Sequence, residues 1–162
     1  MRIFKDLRVL SAIALCSAVL LAPTIAMTQA KPDTETKAIE TRQGYMKLVV
    51  WEAGPLFGMA KGDMAYDAGT AKTHAANLKA ISQYPVAGLF MSGSSNADRP
   101  GKTRALPKIW EDMDGFGKAF TDWRTAVALV ANEADKGQPA LAAAVGELGK
   151  SCGACHKPFR AK

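Results

Sequence analysis

Cysteine and histidine are scarce in this chain, whose 162 residues hold three cysteines and two histidines. A structural zinc site takes about four such ligands, and one cysteine, Cys16, lies in a segment expected to be removed. A disulfide framework is excluded for the same reason, since only Cys152 and Cys155 would remain. Beyond the N-terminal leader no segment alternates apolar and polar residues, so no sheet is expected. No run of lysine and arginine occurs, although the formal net charge is +6, and nucleic-acid binding is unsupported. No Ser/His/Asp set and no paired carboxylates stand out, so the chain is not expected to be an enzyme.

What cysteine and histidine there is stands together, as Cys152-Gly153-Ala154-Cys155-His156. Two cysteines three apart with a histidine after the second form the attachment sequence of a c-type haem. On a helix, positions i and i+3 share one face about a turn apart. Both sulfurs can then form thioethers to the two vinyl groups of one porphyrin, and His156 supplies the proximal nitrogen. Two other readings fare worse. A thioredoxin-like motif wants a βαβ setting, and a Cys152–Cys155 disulfide would be small, strained and isolated.

Residues 1–30 read as a secretory signal that is cleaved. Arg2, Lys5 and Arg8 precede the apolar run from Val9 to Leu21, Pro23 follows, and Thr24-Ile25-Ala26 and Thr28-Gln29-Ala30 offer small residues for cleavage. The apolar run is short for a membrane span, so no stable membrane insertion is expected after cleavage. Loss of the signal lowers the net charge from +6 to +4, because Arg2, Lys5, Arg8 and Asp6 go with it. The remaining charges look scattered along the chain. Export to the periplasm and the haem motif support each other, because bacterial thioether attachment happens outside the cytoplasm.

Residues 31–162 then read as one domain of four amphipathic helices, an all-α four-helix bundle with the haem in its interior. The first helix begins near Ala38, with a seam of Ile39, Arg42, Met46, Val49, Ala53 and Leu56. Pro55 is expected to kink it, and Lys61-Gly62-Asp63 to end it. Trp51 lies off that seam, where a partner subunit can meet it. Asp67 N-caps the second helix, whose stripe is Ala71, Ala75, Leu78 and Ile81. The stretch 85–106 is a long loop with a short turn at Val86–Met91. A third helix starts at Pro107 and runs through Ile109, Met113, Phe116, Phe120, Trp123, Val127, Val130 and Ala134. The fourth starts at Pro139, and its seam is Leu141, Val145, Leu148, Cys152, Cys155 and Phe159. Both motif cysteines therefore belong to a core-facing stripe. His74 is expected to be solvated, and Met59, Met64, Met91 and Met113 to fill gaps.

This arrangement resembles the class II c-type cytochromes, the cytochrome c′ family, over essentially all of residues 31–162. The likeness rests on Arg42-Gln43-Gly44-Tyr45-Met46-Lys47, Met59-Ala60-Lys61-Gly62, Tyr66-Asp67-Ala68, Pro107-Lys108-Ile109-Trp110 and the ending from Cys152 through His156 to Phe159-Arg160. It implies one covalently attached haem c, with Cys152 and Cys155 as anchors and His156 as proximal ligand. It places Arg42 and Gln43 beside the haem, the arginine near a propionate, and Arg160 near His156. It places Met46 opposite the iron, where family members differ. Either Met46 is the sixth ligand of a low-spin one-electron carrier serving redox partner proteins, the reading preferred on sequence, or the site is five-coordinate and high-spin and binds nitric oxide or carbon monoxide. The family typically forms homodimers through its first two helices.

Overall fold

The structure is a computed structural model, and it describes residues 33–162. The expected signal, residues 1–30, and the cleavage point lie outside the described residues. The elements are α1 (Thr34–Lys61), α2 (Ala68–Ser82), a 3-10 turn (Val86–Leu89), α3 (Lys108–Glu111), α4 (Met113–Glu133) and α5 (Gln138–Phe159). The four long helices form the bundle. α1 packs on α2, α2 on α4, α4 on α5, and α5 back on α1, which closes the ring. Among the described residues the only β pairing is one isolated antiparallel bridge, Ala105 with Arg160. The all-α expectation therefore holds, and no described helix is long and apolar enough to cross a membrane.

α1 begins four residues earlier than its seam suggested. Asp33 is the N-cap: its carboxylate accepts from the Thr36 amide at 2.8 Å, and Arg99 donates to it at 2.7 Å. These bonds to the charged form hold its pKa at about 2. α1 also runs unbroken through Pro55. Proline removes the N–H that would reach the carbonyl of residue 51, and that turn carries Trp51, 72% exposed, so water can serve the freed carbonyl. The helix stops where expected, at Gly62, whose φ of 82° is a left-handed cap that glycine adopts without steric cost.

The buried stripe of α1 is Ala38, Ile39, Arg42, Tyr45, Val49, Ala53, Leu56 and Met59. Tyr45 thus takes the place in the seam that the sequence assigned to Met46. Its ring is sealed and its hydroxyl donates to the Ile81 carbonyl at 3.2 Å, tying α1 to the end of α2. Met46 flanks the stripe, partly buried and packed against the core.

The expected third helix is broken at Asp112. There the backbone leaves helical geometry (φ −144°, ψ 61°), separating α3 from α4. The cause is local: the Asp112 carboxylate accepts from the Gly115 amide at 3.0 Å, and a side chain that caps a new helix competes with continuing the old one. A Cβ at position 115 would stand 2.6 Å from an Asp112 carboxylate oxygen, so glycine is what lets the cap close. Met113 is consequently exposed, at 44%, instead of filling the seam. The rest of that seam is buried as expected: Phe116, Phe120, Trp123, Val127, Val130 and Ala134.

This geometry gives a prediction with a definite sign. Asp112→Ala should destabilise the fold by about 1 kcal/mol through loss of the cap. Gly115→Ala should be close to neutral alone, because about 1 kcal/mol of helix propensity offsets the displaced cap. In the Asp112→Ala background the same change should stabilise by about 1 kcal/mol. Urea denaturation of the four proteins checks this coupling, and simple additivity would refute the geometry.

Candidate functional site

α5 brings Cys152, Cys155 and His156 to one end of the bundle. Leu141, Val145, Leu148, Cys152, Cys155 and Phe159 follow steps of three and four, so they share one helix face. Leu141, Val145, Leu148 and Phe159 are buried, and both cysteines are partly buried against the same apolar cluster. No disulfide joins the two cysteines. Burial raises the pKa of Cys152, and burial followed by its neighbour Cys152 pushes Cys155 up to about 11. Reactive redox thiols have depressed pKa values, so this pair is unlike a thioredoxin motif. It suits uncharged, covalently capped sulfur. Among the described residues no three His, Cys, Asp or Glu side chains come together to hold a metal ion, which leaves the zinc alternative without ligands.

His156 is exposed on the turn that follows. Desolvation, and then the positive charge of Arg104, hold its pKa below the ordinary histidine value. The imidazole is therefore neutral at neutral pH, the form that ligates iron. The sequence offered Arg160 as the basic residue beside His156. Arg160 follows one turn after His156 and caps α5 through its backbone, its amide donating to the His156 carbonyl at 3.1 Å. The charge that acts on the His156 imidazole is that of Arg104, a loop residue that no sequence pattern singled out.

An aromatic wall stands next to the motif. Phe159 meets Phe116 edge-on at 5.4 Å between ring centroids, Phe116 meets Phe90 at 4.7 Å, and Phe120 meets Trp123 at 5.3 Å. The wall joins α5, the loop and α4. Trp110 steadies it by donating from Nε1 to the Phe90 carbonyl at 3.1 Å.

Arg42 is the buried charge of this region, with 4% exposure. Its Nη1 donates to the Leu89 carbonyl at 3.2 Å and to Ser94 Oγ at 2.8 Å. Its Nη2 donates to the Ser94 carbonyl at 2.5 Å and to Thr103 Oγ1 at 3.0 Å. The guanidinium also lies over the Phe90 ring at 4.9 Å. Gln43 adds a bond from Nε2 to the Lys102 carbonyl at 2.7 Å. The two first-helix residues expected beside the haem are thus spent mainly on tying α1 to the long loop. Among the described residues no carboxylate pairs with the Arg42 charge, and no buried side-chain nitrogen is left without a hydrogen-bond partner. A buried cation with no anion partner leaves a positive potential that suits a group carrying carboxylates of its own.

The far end of the loop is tied to α5. The Leu106 amide donates to the Phe159 carbonyl at 3.0 Å and the Ala161 amide to the Arg104 carbonyl at 2.8 Å. The loop is therefore a strap fastened to α1 at one end and to the motif-bearing tip of α5 at the other. His74 lies outside the site. It is not simply solvated, because its Nδ1 sits 2.7 Å from Glu52 Oε2 across the α1–α2 interface. Of the expected gap-filling methionines, Met59 is buried, whereas Met64 and Met113 are exposed.

The donor set and its surroundings fit a covalently held haem: two neutral thiols a turn apart facing apolar packing, a neutral imidazole beside them, aromatic walls and a buried cation that no carboxylate pairs. Comparison with known proteins points the same way. A family model described as cytochrome c′ matches residues 37–160. The chain is 46% identical over 127 residues to a cytochrome c′ of Cereibacter sphaeroides, covering 76% of this chain and 83% of that protein. It is similar to the solved structure of a Rhodobacter cytochrome c′, with a TM-score of 0.78, 43% identity, and coverage of 80% of this chain and 99% of the other. It is also similar to a nitric oxide complex of a mutant cytochrome c prime from Alcaligenes xylosoxidans, with a TM-score of 0.70, 28% identity, and coverage of 82% and 100%.

The Arg42 tie predicts a local effect. Lysine has three donors on one point and cannot serve four divergent acceptors. Arg42→Lys should cost roughly 2 kcal/mol, because buried acceptors lose partners. Hydrogen exchange should quicken first at the loop amides of Asn96 and Arg99, which bond to Ala105 O and Ser95 O. Unchanged exchange there would show that the loop holds itself.

Proposed function

Because the chain belongs to the cytochrome c′ family, we propose that it is a periplasmic monohaem protein whose distal side is kept open for a small uncharged gas such as nitric oxide or carbon monoxide, and which also exchanges single electrons with redox partner proteins. The cofactor of the family is one covalently attached haem c. When bound, the haem would supply an iron that cycles between ferrous and ferric and can bind small ligands. Every other part of the function falls to the chain.

Cys152 and Cys155 would anchor the group on the core-facing stripe of α5, and His156 would supply the proximal nitrogen. The depressed pKa of His156 keeps that nitrogen deprotonated at neutral pH. Phe90, Phe116 and Phe159 exclude water from the interior side. Arg42 would offer its positive charge to a propionate while its Nη donors hold the strap. No dedicated catalytic step is proposed.

The observation that carries the open reading is the place of Met46. Tyr45, and not Met46, is buried in the stripe of α1, while Met46 is partly buried at its flank. A flexible methionine that is not sealed into the core can move aside for a small ligand. The similarity to a cytochrome c prime solved with nitric oxide supports the same choice. The competing reading, with Met46 as sixth ligand of a dedicated electron carrier, is separated by one spectrum. In the open form the ferric protein is high-spin, and Met46→Ala leaves its spectrum nearly unchanged. Conversion from low-spin to high-spin on that substitution, with loss of a sulfur-to-iron band, would make Met46 a ligand. Cys152→Ser with Cys155→Ser should leave no pigment after acid extraction, and mature material should begin near residue 31.

A second copy of the chain is the proposed partner for the outer face of α1. Leu48, Val50 and Trp51 are exposed there, at 55%, 70% and 72%, and large apolar groups left in water favour burial against a partner. Trp51→Glu should convert a dimer to a monomer in sedimentation velocity while leaving helix content intact.

A further inference from the structure

The strap that ties the loop to the end of α5 also gathers charge. Ala105 bridges Arg160, the Leu106 amide reaches Phe159, and the Ala161 amide reaches Arg104. These bonds lay residues 104–106 alongside residues 159–161, with Lys102 two residues before the first stretch and Lys157 two residues before the second. Lys102, Arg104, Lys157, Arg160 and Lys162 are thereby brought to one tip of the bundle, the tip that carries His156. In sequence the two groups are more than fifty residues apart, and the charges look scattered.

These five cations are unspent. Among the described residues none of them forms an ion pair, as is also true of Lys37, Lys47, Lys61 and Lys79 on the helices; what sets the five apart is that they come from two segments held together. Lys102, Arg104, Lys157 and Lys162 are exposed, and Arg160 is partly so. Like charges held together by a backbone pairing repel one another. An opposing acidic surface relieves that repulsion and speeds encounter by steering.

We propose that this tip is the docking surface for an acidic redox protein. The inference rests on the reading of Cys152 to His156 as the haem site, because docking here sets the partner against the haem-bearing end. A protein fits better than a membrane. Membrane-surface segments combine cations with apolar anchors, and the large exposed apolar residues, Leu48, Val50, Trp51, Met64, Tyr84, Met113 and Leu129, belong to other segments of the chain.

The test uses the pigmented, full-length mature protein, labelled with nitrogen-15, and polyglutamic acid as the acidic probe. At low ionic strength, amide shifts should concentrate at 102–106 and 157–162 and collapse near physiological salt, where screening reaches over about 8 Å. Arg104→Gln with Lys157→Gln should raise the half-saturating probe concentration about fivefold. The control Lys61→Gln with Lys79→Gln removes the same charge elsewhere and should leave it within about twofold. Equal weakening by both pairs, or shifts spread over the whole surface, would overturn the docking site while the retained pigment still upheld the haem reading. Stronger retention by phosphatidylglycerol vesicles than by polyglutamate would overturn it in favour of a lipid surface. Protein that holds no covalent pigment would instead bring down the haem reading, and this inference with it.

Discussion

The structure depends on one periodic constraint: the core-facing stripe of α5 continues without a break from Leu141 through both motif cysteines to Phe159. A helix repeats its face every three or four residues, so the same spacing that packs leucines against α4 and α1 also aims two sulfurs inward, a turn apart. Had the motif been shifted by one or two residues, the cysteines would face solvent and the bundle would bury nothing against them. Their raised pKa values are a direct result of this placement, since burial penalises the thiolate.

The second organising element is the loop between α2 and α4, which behaves as a strap and not as slack chain. Its central part is held by the buried Arg42 guanidinium, and its end by backbone bonds to the tip of α5. A buried arginine without a carboxylate partner is costly to desolvate. Here the cost is offset by four hydrogen bonds and the face of Phe90. The arrangement links α1, α4 and α5 around the motif, so that the aromatic wall, His156 and the Met46 flank of α1 are set relative to one another by the same few contacts.

Local competition explains where the helices depart from their apolar patterns. The period through Ile109 and Met113 is clean, yet the backbone breaks between them because Asp112 caps the following helix. Apolar spacing reports which residues would face inward if the helix were continuous, and it is blind to a side chain that satisfies backbone amides better by ending a helix. In the same way the seam of α1 passes through Tyr45 and not Met46, since a tyrosine can be buried when its hydroxyl finds a carbonyl, here that of Ile81.

From the amino-acid order alone came the all-helical class, the four long helices, the caps at Asp67 and Gly62, most of the buried seam and the three motif residues. These follow from period, capping chemistry and covalent spacing, which act over a few neighbouring residues. What only the folded chain decided are the relations between distant segments. Arg42 and Gln43 tie α1 to the loop, the loop brings the charge of Arg104 to His156, and Met46 sits at the flank. Five cations from two separate stretches share one tip. Such relations depend on which surfaces meet once the helices pack, and no periodicity within one segment carries that information.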